Sequence, residues 1–254
     1  SDKKVYVFGD NSNYMLGFSQ RSSVFNKPTE NEYLSDMGIS QIEFGDEFTI
    51  ALIGDAVWGW GRNSAGRLTS LSSTVKYPQQ LDVPYHITKI AAGNNHCLAM
   101  TSGGELYGWG SNTSKQLGVD TDTRQVIEPV LIELKDKKDS VLSVSDIAAA
   151  GSHSMIVTTD GDVYAWGENG SGQLGVDSSR LRTPTRVNYF VSTIFTSTNF
   201  SAVIDSNDEL TLSGSNTYGV LGDGTTKDHA EFVKSVTGVD NVCERAALLG
   251  ADTL

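Results

Sequence analysis

Several things common in proteins are scarce in this chain of 254 residues, and each scarcity excludes something. There are two cysteines, Cys97 and Cys243, too few for a disulfide-stapled scaffold. Both lie in apolar stretches, which fits a reduced intracellular setting, cytoplasmic rather than nuclear, better than secretion. No run approaches the roughly 18 apolar residues of a membrane-crossing helix. The opening Ser1-Asp2-Lys3-Lys4 leads straight into a strand-like stretch, so neither membrane insertion nor a secretory signal is expected. Basic residues are outnumbered 19 to 31, for a net charge of −12, so nucleic acid and anionic membranes are not expected partners. The only histidines are His86, His96, His153 and His229. No Cys-x-x-Cys, His-Glu-x-x-His or phosphate-loop pattern accompanies them. Asp205-Ser206-Asn207-Asp208 opens like a calcium loop but lacks the following glycine and the distal glutamate. No metal, no cofactor and no hydrolytic or redox chemistry is therefore expected. No segment carries a helical period of useful length.

What the chain has in abundance is glycine, 26 residues, and the glycines fall in register. Val5-Tyr6-Val7-Phe8-Gly9, Val57-Trp58-Gly59-Trp60-Gly61, Leu106-Tyr107-Gly108-Trp109-Gly110, Val163-Tyr164-Ala165-Trp166-Gly167 and Leu210-Thr211-Leu212-Ser213-Gly214 align, with final glycines 52, 49, 57 and 47 residues apart. Two residues after each comes Asn11, Asn63, Asn112, Asn169 or Asn216. Seven after each comes Leu16, Leu68, Leu117, Leu174 or Leu221, followed by glycine except at Thr69. This is an internal repeat of about fifty residues.

A second block precedes the later glycines, clearest in Ile90-Ala91-Ala92-Gly93-Asn94-Asn95-His96-Cys97 and Ile147-Ala148-Ala149-Ala150-Gly151-Ser152-His153-Ser154. Phe48 and Phe200 take the histidine's place in the second and fifth repeats. Such repeat histidines are expected to be structural, their ring nitrogens bonding nearby backbone. Thr101-Ser102-Gly103-Gly104 and Thr159-Asp160-Gly161-Asp162 read as hairpin turns. The asparagines suit Asx turns, and Gly66, Gly172 and Gly219 suit left-handed corners. Pro28, Pro78, Pro129 and Pro184 follow at matching places, where the start of an outer strand is expected. Alternation in the repeat strand puts the small residues Gly59, Gly108 and Ala165 on one face and the aromatics on the other. Short β-runs, hairpin turns and a fixed period predict an all-β fold, a β-propeller of four-stranded blades with five repeats in this chain.

The combined pattern resembles the regulator of chromosome condensation repeat family, most specifically in residues 90–119 and 147–176. Trp60, Gly61, His96, Trp109, Gly110, His153, Trp166, Gly167 and Leu174 carry the resemblance as structural repeat residues. It implies a propeller, usually of seven blades, with loops that contact partner proteins. Here Leu254 falls at the repeat position of Val5, so residues 1–254 are read as a single domain. Two arrangements fit: a closed five-bladed ring in which strand 5–9 completes a blade with 239–254, or part of a larger propeller. The Gly-Trp-Arg-His pattern of light-sensing members is absent.

The family's founding activity, guanine-nucleotide exchange on a small GTPase, is implied to use acidic residues in the loops before the repeat histidines, with a hairpin wedge and a basic tail. The corresponding pairs here are Asp46-Glu47, Asn94-Asn95, Gly151-Ser152, Thr198-Asn199 and Glu244-Arg245. Only the first has two carboxylates, and the basic tail is missing. The long interval holding 119–145 carries the alternating-charge run Glu133, Lys135, Asp136, Lys137, Lys138 and Asp139, a solvated hairpin tip or a docking loop. A second insert, 21–38, contains Phe25, Tyr33, Leu34 and Met37. The expected function is a non-enzymatic protein-interaction platform, monomeric within a hetero-complex, with Asp46, Glu47, Asn94, Asn95 and the charged run as partner-binding candidates. The alternatives are an exchange factor for a small GTPase and an inhibitor-type propeller that binds an enzyme.

Overall fold

The structure is a computed structural model that describes residues 3–19, 24–69, 72–84, 86–119, 121–136, 138–188 and 190–235. Among these residues there are eighteen β-strands and no helix, hence none long and apolar enough to cross a membrane. Two compact units are present, each built from antiparallel sheets in which consecutive strands pair.

The first unit comprises residues 1–111 and 123–131. It holds a two-stranded sheet, β1 (Tyr6–Asp10) with β2 (Val24–Glu30), and two four-stranded sheets. One runs β3 (Ile39–Phe44), β4 (Phe48–Ile53), β5 (Ala56–Arg62), β6 (Thr74–Gln80). The other runs β7 (Ile87–Ala92), β8 (His96–Thr101), β9 (Leu106–Ser111), β10 (Gln125–Leu131). The second unit contains β11 (Val144–Ala150), β12 (His153–Thr158), β13 (Val163–Glu168), β14 (Arg180–Asn188) and then β15 (Val191–Thr196), β16 (Phe200–Asp205), β17 (Leu210–Gly214), β18 (His229–Lys234). These are the four-stranded blades expected from the repeat.

The repeat strand is the third of each sheet, and its terminal glycine is demanded by backbone proximity. Gly61, Gly110 and Gly167 have φ of +111°, +102° and +104°, open only to glycine. A Cβ there would lie 2.7 Å from the Glu47 carbonyl oxygen, 2.6 Å from that of Asn95 and 2.5 Å from that of Ser152. The repeat asparagine then closes the following turn. Asn63, Asn112, Asn169 and Asn216 each accept, through Oδ1, the N–H of the leucine five residues on, at 2.9, 3.2, 2.7 and 2.9 Å. The bond is therefore longer-range than the simple Asx turn expected. Its middle residue is left-handed in every repeat: Gly66, Gly172 and Gly219 do this without strain, while Tyr14 and Lys115 adopt φ of 64° with a side chain attached.

In three repeats the carbonyl just before the leucine ties its turn to the next sheet. Met15 O accepts Trp60 Nε1 at 2.7 Å and Thr49 Oγ1 at 2.8 Å. Arg67 O accepts Trp109 Nε1 at 2.9 Å, and Gln116 O accepts Trp166 Nε1 and Ser154 Oγ, both at 2.8 Å. The tryptophans thus combine a large buried ring with a satisfied N–H. Among the inner strands, Gln41 bonds both backbone groups of Ile90, at 2.7 and 3.0 Å.

Three expectations change. Pro28, Pro78, Pro129 and Pro184 lie inside the outer strands β2, β6, β10 and β14, at the register breaks, rather than at their starts. A bulge on an edge strand requires no N–H from that residue. For the same reason the supposed insert 21–38 is largely the outer strand β2 and its exit turn, and 119–145 contains β10. Outer strands are half-exposed and proline-broken, so they lack the period that betrays inner ones. Finally, His153 Nε2 lies 2.9 Å from Ser201 Oγ, a side chain of the following sheet, rather than on backbone. The ring-closing strand read at 239–254, with Cys243, Glu244 and Arg245, lies outside the described residues.

Candidate functional site

In the first unit, the loop between β3 and β4 (residues 45–47) and that between β7 and β8 (93–95) are joined directly: Asp46 N donates to Asn94 O at 3.0 Å. The sequence-derived candidates Asp46, Glu47, Asn94 and Asn95 are thereby brought to one place. At its centre is a residue the sequence reading overlooked, Arg67, whose side chain is fully buried. Its Nη1 donates to Asn94 O at 3.2 Å and to Asn95 Oδ1, and its Nη2 to Ser64 Oγ at 2.5 Å. The guanidinium sits 5.1 Å over the Phe48 ring and 3.7 Å from Glu47 Oε2. Burial pulls its pKa down, and the Glu47 carboxylate pulls it back up. A buried cation held this way ties the two loops, because removing it strips the Asn95 amide oxygen of its buried donor on one loop and the Glu47 carboxylate of its buried counter-charge on the other. One signal existed: in the column before the repeat leucine, Met15, Gln116, Gln173 and Val220 are uncharged, and Arg67 alone is not.

Glu47 is also held from outside, by Arg62 Nη1 at 2.7 Å and Asn13 Nδ2 at 3.2 Å. Its charge is therefore balanced within the molecule. Asp46 differs: it is exposed, and its carboxylate has no hydrogen bond among the described residues. The resulting surface presents one free carboxylate, Asp46, and the half-exposed amides Asn94 and Asn95, on loops fixed from beneath by a buried arginine.

In the second unit the charged run forms a hairpin tip. Leu134 is buried at its base, and Leu142 N donates to Leu134 O at 2.9 Å. Asp136 Oδ1 accepts the N–H groups of Lys138 and Ser140 at 2.7 and 2.9 Å, so it shapes the turn. Lys135 pairs with Glu133 at 3.2 Å, Lys138 and Asp139 are exposed, and Lys137 lies outside the described residues. The hairpin walls an open cavity of about 500 Å³, floored by Tyr164 and bounded by the Asp162–Arg186 ion pair at 3.1 Å. Of the structural repeat residues, His96 and His153 are fully buried, and burial pushes the pKa of His153 down to about 4. Among the described residues no group of three His, Cys, Asp or Glu side chains is placed to hold a metal.

Comparison with known proteins adds a family match, two relatives and two structural neighbours. The family model described as RCC1-like domain matches residues 1–252. The ultraviolet-B receptor UVR8 of Arabidopsis thaliana is 31% identical over 212 residues, covering 80% of this chain and 47% of that protein. The human probable E3 ubiquitin-protein ligase HERC6 is 30% identical over 179 residues, covering 68% of this chain and 17% of that protein. This chain thus spans about half, or far less, of the length of the curated relatives it matches. Among solved structures, human WBSCR16 superposes with a TM-score of 0.81 at 22% identity, over 93% of this chain and 63% of that one. Prp20p of Saccharomyces cerevisiae, a structure described together with its binding to Gsp1p and histones, superposes with a TM-score of 0.79 at 23% identity. It is matched over 93% of this chain and 60% of that one. At such identities the superpositions establish a shared fold alone.

Proposed function

Since this chain belongs to the RCC1-like domain family, we propose that it is a non-enzymatic, regulatory protein-interaction module whose partner docks on the fixed loops bearing Asp46, Asn94 and Asn95. The observation that carries this reading is Arg67, a buried cation hydrogen-bonded to the 93–95 loop and ion-paired with Glu47 of the 45–47 loop. Loops held rigid before binding lose little entropy on association, and an exposed, unpaired carboxylate beside two amides offers directional contacts. The net charge of −12 favours a protein partner over nucleic acid. The two cysteines, one of them free and buried, accord with an intracellular setting. The hairpin at 133–140 is a second docking candidate. To test the site, amide exchange of the full chain is measured with and without its captured partner. Protection centred on 45–47 and 93–95, lost with Asp46→Ala, supports the reading; protection elsewhere overturns it.

A second reading, nucleotide exchange on a small GTPase, is favoured by the likeness in fold to Prp20p, whose binding to Gsp1p is described. It expects catalytic amounts of this chain to accelerate release of labelled GDP from a small GTPase. No acceleration across a GTPase panel removes it. We also propose that residues 1–254 form a single propeller domain, closed through strand 5–9. The rival, part of a longer propeller, is favoured by the 57–63% of the propeller neighbours' chains that this one covers.

A further inference from the structure

The hairpin at 133–142 and the outer part of the β11–β14 sheet flank the open cavity of about 500 Å³. Its floor is Tyr164 on β13, which is only 8% exposed. The residues at the same place in two other repeats, Trp58 and Tyr107, are half-buried. The Tyr164 hydroxyl has no hydrogen-bond partner among the described residues. Burial and the Asp162 carboxylate raise its pKa, Arg186 opposes them, and Asp136 adds a smaller push upward. Those three charged groups all line the cavity, so the hydroxyl faces into it and not into the core. A tyrosine this buried ordinarily satisfies its O–H, and one left unsatisfied beside an open space marks the place of a partner atom.

The charges around the cavity divide into engaged and available ones. Lys135 is paired with Glu133 at 3.2 Å and Arg186 with Asp162 at 3.1 Å, so neither cation is free to take an anion. Asp136 commits Oδ1 to the turn amides, which leaves its other oxygen available. The Asp160 carboxylate is exposed and has no partner among the described residues. Against these two carboxylates stands one unpaired ammonium, Lys138. The surplus is negative, in keeping with the net charge of −12. An entering phosphate or carboxylate would meet both carboxylates and would have to break an ion pair to reach a guanidinium. The remaining wall is apolar, Leu142 on the hairpin and Pro184 on β14. An aliphatic stem can lie on these two while its charged end reaches the oxygen atoms.

We propose that this cavity takes an arginine side chain from an exposed segment of a basic partner protein, its guanidinium donating to Tyr164 Oη, Asp160 and the free oxygen of Asp136. The five N–H donors of a guanidinium fork suit three acceptors divided between the hairpin and the sheet better than a compact ammonium does. A single arginine buried in a pocket is also a common anchor of protein interfaces. This rests on the reading of the chain as an interaction module and gives the hairpin's partner its chemistry. It does not depend on docking at Asp46.

The test is NMR mapping of amide shifts on the full chain, titrated with three peptides of the form acetyl-Gly-Ser-Xaa-Ser-Gly-amide. The central residue is arginine, its uncharged isostere citrulline, or phosphoserine. Saturating shifts confined to 138–142, 160–164 and 184–186 are expected with the arginine peptide, and citrulline should bind about tenfold more weakly. Asp160→Asn should weaken the arginine peptide about tenfold, and Tyr164→Phe, which removes the oxygen alone, about fivefold. Glu231→Gln makes the same charge change at an exposed site on β18 and should leave binding unaltered. Equal weakening by Glu231→Gln and Asp160→Asn overturns the proposal in favour of general attraction to an acidic surface. Cavity shifts with the phosphoserine peptide overturn it in favour of an anion site, and arginine-induced shifts lying elsewhere overturn it outright. Should a variant not fold, the three peptides on the unmodified chain decide. Partner protection at 45–47 and 93–95 is measured separately, so failure at the cavity leaves the reading at Asp46 standing.

Discussion

His153 should act as an acid-sensitive joint of the second unit, and the chain itself contains its replacement. The ring is fully buried, its Nε2 meets Ser201 Oγ at 2.9 Å, and Nδ1 has no hydrogen-bond partner among the described residues. Burial holds the imidazole near 4, against an ordinary 6.5. Between those two pH values the unfolded chain takes a proton that the folded one refuses, so folding stability falls as pH drops through the window, and the loss levels off below about pH 4. At 1.36 kcal/mol per pH unit the full loss is about 3 kcal/mol. Phe48 and Phe200 fill the same position in other blades, so His153→Phe with Ser201→Ala should pack and carry no proton. The measurement is urea unfolding at pH 7, 6, 5 and 4, following amide exchange of β12. Carboxylates also titrate below pH 5, so the readout is the difference between wild type and double variant. That difference should shift by about 3 kcal/mol in the variant's favour between pH 7 and pH 4. The single variant His153→Phe strands the Ser201 hydroxyl and should cost about 1–3 kcal/mol with no pH dependence of its own. Identical pH profiles for wild type and double variant would refute the reasoning.

Gly110→Ala forces a side chain into φ +102° and its Cβ to 2.6 Å from the Asn95 carbonyl, so thermal unfolding should show a loss of about 3 kcal/mol or more. Ser213 takes the tryptophan's place in the fifth repeat, and its buried Oγ has no partner among the described residues. Ser213→Ala should accordingly be neutral or stabilising by up to about 1 kcal/mol in the same assay, and a clear destabilisation would mean the hydroxyl is bonded. Asp223 is held down to about 2, chiefly by the Thr225 N–H. Its contribution is present above the ordinary carboxylate range and is lost as pH falls through 2, so Asp223→Asn should lose stability at pH 5 but match wild type below pH 2.

The repeat was legible because its chemistry is local. Gly61, Gly110 and Gly167 are required by backbone conformation, and Asn63, Asn112, Asn169 and Asn216 bond a leucine five residues along, so spacing alone exposes them. The outer strands were harder to see. β2 and β10 are half-exposed and broken by Pro28 and Pro129, which erases alternation, and their residues passed for inserts. Of the candidate site, Asp46, Glu47, Asn94 and Asn95 were visible as loop residues of matching phase. The arginine that joins them was not, because Arg67 lies twenty or more residues from each and meets them only through packing.

The sequence by itself determined that this chain is a propeller-type repeat of β-strands, since period, glycine register and the asparagine–leucine spacing are properties of one repeat at a time. Tertiary structure alone decided which charges are available. Asp46 and Glu47 are neighbours of the same chemistry in the sequence. Yet Glu47 is neutralised by Arg62 and Arg67, while Asp46 remains free. The physical reason is that a charge's availability depends on what opposes it in space, and the opposing groups come from the end of β5 and the turn after it, fifteen and twenty residues away.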